Sequence, residues 1–283
     1  MPTGFAIDPD QGLTGAGELR VVKLAADLGY ESAWTNSGPD AASFDRCRRW
    51  YMASGLPVGI SAVPASGQPS EFYAEHANQL WDATGGKFML GVGSGLLSRP
   101  ATTMRGYLAD LRTRLPADAP VYVAALGPQM LRVGAELADG VALNWCSAEQ
   151  VAWSRQILLE AATAAGRPMP RVIEYIRTAV DPDQDLARRI VAAAAHRYLQ
   201  MPAYRRHFER MGVAQELGSF EESSNRPSPE LVSAIGAAGA PGTTRASFEH
   251  LAAGLDLPIV RVLVTKRGDF ESARRVLEEC RPV

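Results

Sequence analysis

Eight short apolar runs, separated by longer stretches of helical period, constrain this chain more than any other feature. "GFAID" (4–8), "ESAWTN" (31–36), "LPVGISAV" (56–63), "KFMLGV" (87–92), "PVYVAAL" (120–126), "GVALNW" (140–145), "RVIEYIRTAV" (171–180) and "PIVRVLV" (258–264) read as strands. In "AGELRVVKLAADLGY", Val21, Leu24, Ala25 and Leu28 recur at helical spacing, and Gly29 is the stop. "QPSEFYAEHANQLWDATGG" opens on a Pro beside a Ser and closes on Gly-Gly, the marks of a helix start and end. Further helices are expected around 101–114, over 128–138, after a Ser147 cap, from Thr243 or Thr244 to about Leu255, and in "DFESARRVLEEC". Strands alternating with helices of this length imply a parallel sheet, because parallel neighbours need a crossover connection. A count of eight favours an α/β chain closed as a (β/α)8 TIM barrel over an open doubly wound sheet. The 283 residues suit one such domain spanning 1–283, with the mostly helical 184–242 as an insertion before the last βα units. That insertion includes the loop "GSFEESSNRPSP".

Composition removes several classes of function. The net charge of -2 and the lack of a Lys/Arg run with interleaved aromatics argue against a nucleic-acid partner. Cys47, Cys146 and Cys280 are far apart, and no CxxC occurs, which argues against a disulfide scaffold or a zinc site and fits a reducing cytosol. His76, His196, His207 and His250 have no ligand spacing to one another or to a cysteine, so no metal is expected. "MPTGFAIDPDQG" has no basic region followed by an apolar run, and no stretch approaches 18 uninterrupted apolar residues, so neither a signal peptide nor a membrane span is expected. A cytoplasmic location follows as the expectation.

Two segments suggest an anion site. In "KFMLGVGSG", Gly91, Gly93 and Gly95 stand at alternate positions after an apolar run. The dinucleotide fingerprint is G-x-G-x-x-G with a helix starting inside it, whereas position 96 is Leu, "LLSRP" breaks any immediate helix, and the loop sits at the fourth strand. On spacing alone, the glycines can equally permit a tight turn. In "VYVAALGPQMLRVGAELADGVALNW", Gly127 allows close backbone approach, and Pro128 sits where a first helical residue belongs. The amides of Gln129 and Met130 would then point at an anion. Two such places on consecutive strands suit a phosphorylated cofactor.

Together with "LGYESAW", "ELADGVALNW" and "APGTTRASFEHLAAGLDLPIVRVLV", these segments resemble the bacterial luciferase-like superfamily, in its branch of oxidoreductases dependent on the deazaflavin coenzyme F420. The resemblance runs over nearly the whole chain in order. It implies a cofactor at the C-terminal strand ends and a cis peptide bond at Ser61-Ala62, where a bulge backs the ring. Carried over, Ser61, Ala62 and Val63 would lie under the ring, and Gly93, Ser94, Gly95, Ala125, Gly127, Pro128 and Gln129 would surround the phosphate arm. FMN-using members share the fold, so FMN is the alternative cofactor. Relatives carry a polar titratable pair after the second strand, where this chain has Asn36 and Ser37, which weakens strong acid/base chemistry there.

Hydride transfer from a reduced deazaflavin is mainly a matter of positioning. Catalytic candidates near strand ends are Asn36, Asp8 and Glu174; Asn144 is a cofactor contact or a turn closer. Asp8 precedes Pro9 and can equally be a turn former; Glu174 is mid-strand and can equally be a buried barrel residue. Trp34 and Trp145 can wall a ring pocket or pack the core. The expected activity is hydride transfer to or from a small C=N, C=C or carbonyl substrate; the alternatives are an FMN-dependent monooxygenase and a non-catalytic flavin-binding barrel. Relatives of this kind are commonly dimers, and the alanines of "ARRIVAAAAHRY" offer a seam for a homodimer.

Overall fold

The computed structural model describes residues 1–13, 15–220 and 226–283. The strands are β1 (Gly4–Ala6), β2 (Ser32–Thr35), β3 (Val58–Pro64), β4 (Phe88–Gly93), β5 (Val121–Ala124), β6 (Gly140–Asn144), β7 (Arg171–Val180), β8 (Ala237–Gly239) and β9 (Leu257–Val262). They form one sheet in the order β6-β5-β4-β3-β2-β1-β9-β7-β8, and a β6–β7 pairing closes eight of them into the ring of a (β/α)8 barrel. All eight expected strands are present. β8 is an additional short strand parallel to the end of β7, in register Thr178↔Ala237 to Val180↔Gly239.

The helices are α1 (Gly15–Asp27), α2 (Ala42–Ser54), α3 (Ser70–Thr84), α4 (Pro100–Arg114), α5 (Pro128–Leu137), α6 (Ala148–Ala164), α7 (Gln184–His196), α8 (Pro202–Arg210), α9 (Ala214–Gly218), α10 (Pro229–Ile235), α11 (Thr244–Leu251) and α12 (Phe270–Glu279). α2 is absent from the sequence expectation. Its apolar face is thin, with Phe44, Cys47 and Trp50 buried on one side of a helix that also carries Arg46, Arg48 and Arg49. No described helix is long and apolar enough to cross a membrane.

The chain divides into two compact units. One holds 31–143 and 154–173, and so contains β2 to β5 and most of β6. Its core depends on two glycines under aromatic rings. The position a Cβ would take on Gly59 is filled by the Trp34 indole, and that on Gly140 by the Tyr122 ring. Trp34 and Tyr122 then meet edge to face, with centroids 5.9 Å apart. Trp34 is fully buried and its Nε1 donates to Ser32 Oγ at 2.8 Å, so it is a core residue rather than a pocket wall.

The other unit holds 1–30, 144–153 and 174–283. Tyr30 closes α1 onto α12 by donating to the Leu277 carbonyl at 2.9 Å. The 184–242 stretch supplies α7 to α10, β8 and a 3-10 turn at Arg197–Gln200, and residues 221–225 of its loop lie outside the described residues. Ala187, Val191, Ala194 and Ala195 of α7 pack into one apolar cluster with Phe208, Leu217, Leu231 and Ile235. The alanines expected to face a partner subunit are therefore buried within their own unit. Neither Thr243 nor Thr244 caps α11 with its side chain in the expected way. The Glu279 carboxylate of α12 does so instead, accepting from the Thr244 and Arg245 amides at 2.9 and 3.1 Å. A carboxylate at a helix N-terminus satisfies free amides and complements the dipole.

Gly140→Ala places a methyl inside the Tyr122 ring, and a rigid core strand cannot move away from it. Overpacking of this kind costs about 1–3 kcal/mol. Urea unfolding of the variant should show a lower midpoint with an unchanged slope; an unchanged midpoint would mean that Tyr122 is free to move.

Candidate functional site

The glycine run after β4 is explained by its neighbour β3. Register between them holds for Ile60↔Leu90 and resumes at Val63↔Val92, so Ser61 and Ala62 stand opposite the single residue Gly91. This is a β-bulge, two residues against one. The Ser61-Ala62 peptide is cis, at the position the family resemblance implied. A Cβ on Gly91 would lie 2.7 Å from the Ile60 carbonyl and 3.1 Å from Ser61 Cα, so no side chain fits beneath the bulge.

The other two glycines differ. A Cβ on Gly95 would run into Ser66 Oγ, and the residue has φ 57°, so its reason is local. Ser66 Oγ also accepts from the Leu96 amide at 3.0 Å, which fixes the turn. At Gly93 an added Cβ would meet only the methyls of Ala62 and Ala124, both at 3.5 Å, ordinary contact. Gly93 thus leaves a shallow floor bounded by two alanines. Val63 is fully buried and Ser61 and Ala62 half-buried, so the bulge exposes Ser61 and Ala62 and anchors through Val63.

The next strand supplies the second feature. β5 ends at Ala124, Ala125 donates to the Ala142 carbonyl at 3.1 Å, and Gly127 precedes α5, with Pro128 at its first position. Gly127 is extended (φ -136°, ψ 167°), and a Cβ there would meet nothing within 4 Å. α5 therefore begins with free amides at Gln129 and Met130 beside open space, the geometry that favours an anion. Asn36 lies one residue past β2, where its carbonyl accepts from Thr35 Oγ1 at 3.2 Å. The next side chain, Ser37, shares a 2.7 Å hydroxyl contact with Ser43 of α2.

The remaining candidates, Asp8, Asn144 and Glu174, lie in the other unit, and the structure joins them to residues that the sequence reading did not select. Asp8 is buried and forms an ion pair with Arg261 of β9. Arg261 lies 4.7 Å over the Tyr175 ring. Asn144 Oδ1 accepts from Arg177 of β7, and Asn144 Nδ2 donates to Tyr204 Oη at 2.6 Å. The Arg177 guanidinium lies 4.0 Å over the Trp145 ring, and its Nη2 reaches Tyr198 Oη at 3.4 Å. Trp145 adopts φ 59°, uncommon for a bulky residue. That turn buries its ring and leaves its carbonyl within 2.8 Å of His207 Nε2. The following amide, Cys146 N–H, donates to Glu174 Oε1 at 2.6 Å, while Glu174 Oε2 has no partner among the described residues. Burial pushes the Glu174 carboxyl from the usual 4.5 to about 8, against the opposing pull of the Cys146 amide and the Arg177 charge.

Arg177, Arg261, Tyr198 and Tyr204 are the polar residues that sequence reasoning passed over. A signal existed. "RVIEYIRTAV" and "PIVRVLV" each place an arginine within an apolar strand, where a charge is costly unless something holds it.

The luciferase-like monooxygenase family model matches residues 96–255. A 5,10-methylenetetrahydromethanopterin reductase of Archaeoglobus fulgidus is 34% identical over 83 residues, 28% of this chain and 25% of that protein. The chain thus matches about a quarter of that relative's length. Among solved structures, the coenzyme F420 dependent tetrahydromethanopterin reductase from Methanopyrus kandleri superposes with a TM-score of 0.78 at 19% identity, covering 98% of this chain and 97% of that one. An F420-dependent secondary alcohol dehydrogenase in complex with an F420-acetone adduct gives 0.75 at 13% identity over 99% and 98%. The FMN-bound oxygenating constituent of 3,6-diketocamphane monooxygenase from Pseudomonas putida gives 0.68 at 14% over 100% and 99%. At these identities the superpositions establish the barrel fold.

The buried Glu174 sets a pH dependence. Its folded pKa is raised, so between about 4.5 and 8 the folded chain keeps a proton that the unfolded chain has lost. The group's contribution to stability is whole below the lower value and declines as pH rises to the upper one, by at most roughly 1.4 kcal/mol per pH unit. Glu174→Gln keeps an acceptor for the Cys146 amide and removes the titration. Denaturation at pH 5 and pH 8 should show a smaller loss of stability in the variant than in wild type; equal losses would place the pH dependence elsewhere.

Proposed function

We propose that this chain, which belongs to the luciferase-like monooxygenase family, is an F420-dependent oxidoreductase that moves a hydride between the deazaflavin and a small organic substrate with a C=N, C=C or carbonyl group. The observation that carries the reading is the bulged β3 beside the glycines Gly91 and Gly93 of β4. Ser61 and Ala62 project where Gly93 leaves a floor of methyls, a surface that suits one face of a flat ring. The F420-dependent reductase and the F420-dependent alcohol dehydrogenase that share the fold support the choice of the deazaflavin.

The residues fit the group. Ser61 and Ala62 would back its ring, with Val63 buried as their anchor. The open space at Gly127, with the free amides that follow Pro128, would receive its phosphate, alongside Ser94, Ala125 and Gln129, while Gly93 lies under the ring. Gly95 serves the turn by admitting Ser66. The bound coenzyme supplies the carbon that carries the hydride. The chain orients and dehydrates: Asn36 offers a neutral amide at the end of β2, and Asp8 is held in place by Arg261. Glu174 is better read as the support of the Cys146 amide than as a proton donor. FMN remains the second reading because the same fold carries FMN in the diketocamphane enzyme.

Two measurements test this. In a fluorescence titration, F420 should bind at least about tenfold tighter than FMN, a difference of ~1.4 kcal/mol. Equal affinity, or no F420 binding, sinks the deazaflavin reading. Gly127→Val should melt like wild type, because the added side chain meets open space, yet lose at least about tenfold in cofactor affinity. Unchanged affinity would show that the phosphate lies elsewhere.

A further inference from the structure

Two guanidinium groups are buried on β7 and β9, Arg177 at 2% exposure and Arg261 at 6%. Arg261 has a counterion in Asp8. Arg177 has no carboxylate within ion-pair distance among the described residues. Its contacts are Asn144 Oδ1, the Tyr175 carbonyl at 3.1 Å, Tyr198 Oη at 3.4 Å, and the rings of Trp145 and Tyr198. Burial raises the Glu174 carboxyl to about 8, which opposes its ionisation beside Arg177, and raises the Tyr204 hydroxyl to about 12. Burial and the like charge of Arg261 both lower the Arg177 pKa, opposed only by weaker pulls from Tyr198, Tyr204 and Asp8.

Burying an unpaired charge is costly, and the chain avoids that cost one strand away with Asp8. Ring faces and neutral acceptors offset part of it. The hydrogen bond to the Tyr198 hydroxyl is the longest that the guanidinium makes. An anionic oxygen would bind the same donor at about 2.7–2.9 Å with a charge-assisted bond roughly twice as strong. It would displace the hydroxyl rather than compete with a carboxylate.

We propose that Arg177 recognises an anionic oxygen of the substrate, a carboxylate or a phosphate ester, so that the substrate is a small organic acid or phosphate rather than a neutral ketone or imine. Tyr198, on the 3-10 turn Arg197–Gln200, and Tyr204, on α8, cover this position and would shift to admit the ligand. The assignment of the anion to a substrate rests on the oxidoreductase reading; the anion site itself does not.

The experiment uses the full chain and matched probes: benzoate against benzamide, and inorganic phosphate against chloride at equal ionic strength. In wild type, benzoate or phosphate should raise the melting temperature saturably, and benzamide and chloride should not. Arg177→Met should lose the effect, and Arg177→Lys should keep it with affinity weakened about tenfold, because lysine is a point donor without the bidentate fork. The wild-type arm needs no variant: if neither anion stabilises the protein beyond its control, the proposal falls. It also falls if Arg177→Met responds like wild type. If saturating F420 abolishes the anion response and Arg177→Met weakens F420 in the same proportion, the anion belongs to the cofactor and the substrate assignment fails. The wild-type F420 titration decides the deazaflavin reading independently, since F420 binding without an anion response overturns the subsite alone.

Discussion

Two residues of β3 stand opposite one residue of β4, and much of the cradle follows from that mismatch. Ser61 and Ala62 must project where a regular ladder would have paired them, and the opposing residue can have no side chain. Gly91 is that residue: its missing Cβ leaves room for the Ile60 carbonyl and Ser61 Cα. Beyond the bulge the ladder resumes at Val63↔Val92, which locks the projection between two fully buried valines. A rigid projection of small side chains beside Gly93 is a surface on which a flat ring can rest. Rigidity matters for any ring held there, because a loop carrying the same residues would not fix its position.

A second constraint acts on β7 and β9. An arginine within a buried strand must find acceptors for its donors and an opposing charge or ring for its cation. Asp8 answers this for Arg261. Arg177 is answered by neutral groups: the Asn144 amide oxygen, a backbone carbonyl and two aromatic faces. The left-handed turn at Trp145 is part of that answer, since it places the indole under the guanidinium while the flanking groups engage His207 and Glu174. The local conformation of one residue therefore links a buried cation, a buried carboxyl and the helix α8 within one unit.

Much of this was legible in the sequence, and the failures have physical causes. The eight barrel strands were readable because each is a short apolar run bounded by turn residues. α2 was not, because its buried apolar residues are only Phe44, Cys47 and Trp50, interleaved with arginines. The α11 cap was misassigned to a local threonine because the true cap, Glu279, is contributed by a different helix across 35 positions of sequence. The alanines of α7 suggested a seam for another subunit, yet close packing against their own chain demands small residues just as strongly. The two strand arginines carried a signal in their setting rather than in any motif, and a search for motifs passes over it.

Glycine spacing alone could not divide "GVGSG" into its parts, because glycine is used there for different reasons. At Gly91 the missing atom makes room for the neighbouring backbone, and at Gly95 it makes room for Ser66. Those two needs belong to the fold and would exist with no ligand at all. At Gly93 an added methyl would touch only two other methyls at ordinary distance, and at Gly127 it would touch nothing. Nothing inside the protein requires glycine at these two positions by contact. Small size that the fold does not need suggests a need from outside the chain, and both positions border the places where the bulge and the start of α5 present a ring-sized floor and free amides. The proposed cofactor, with a flat ring and a phosphate, would fill both gaps with one molecule.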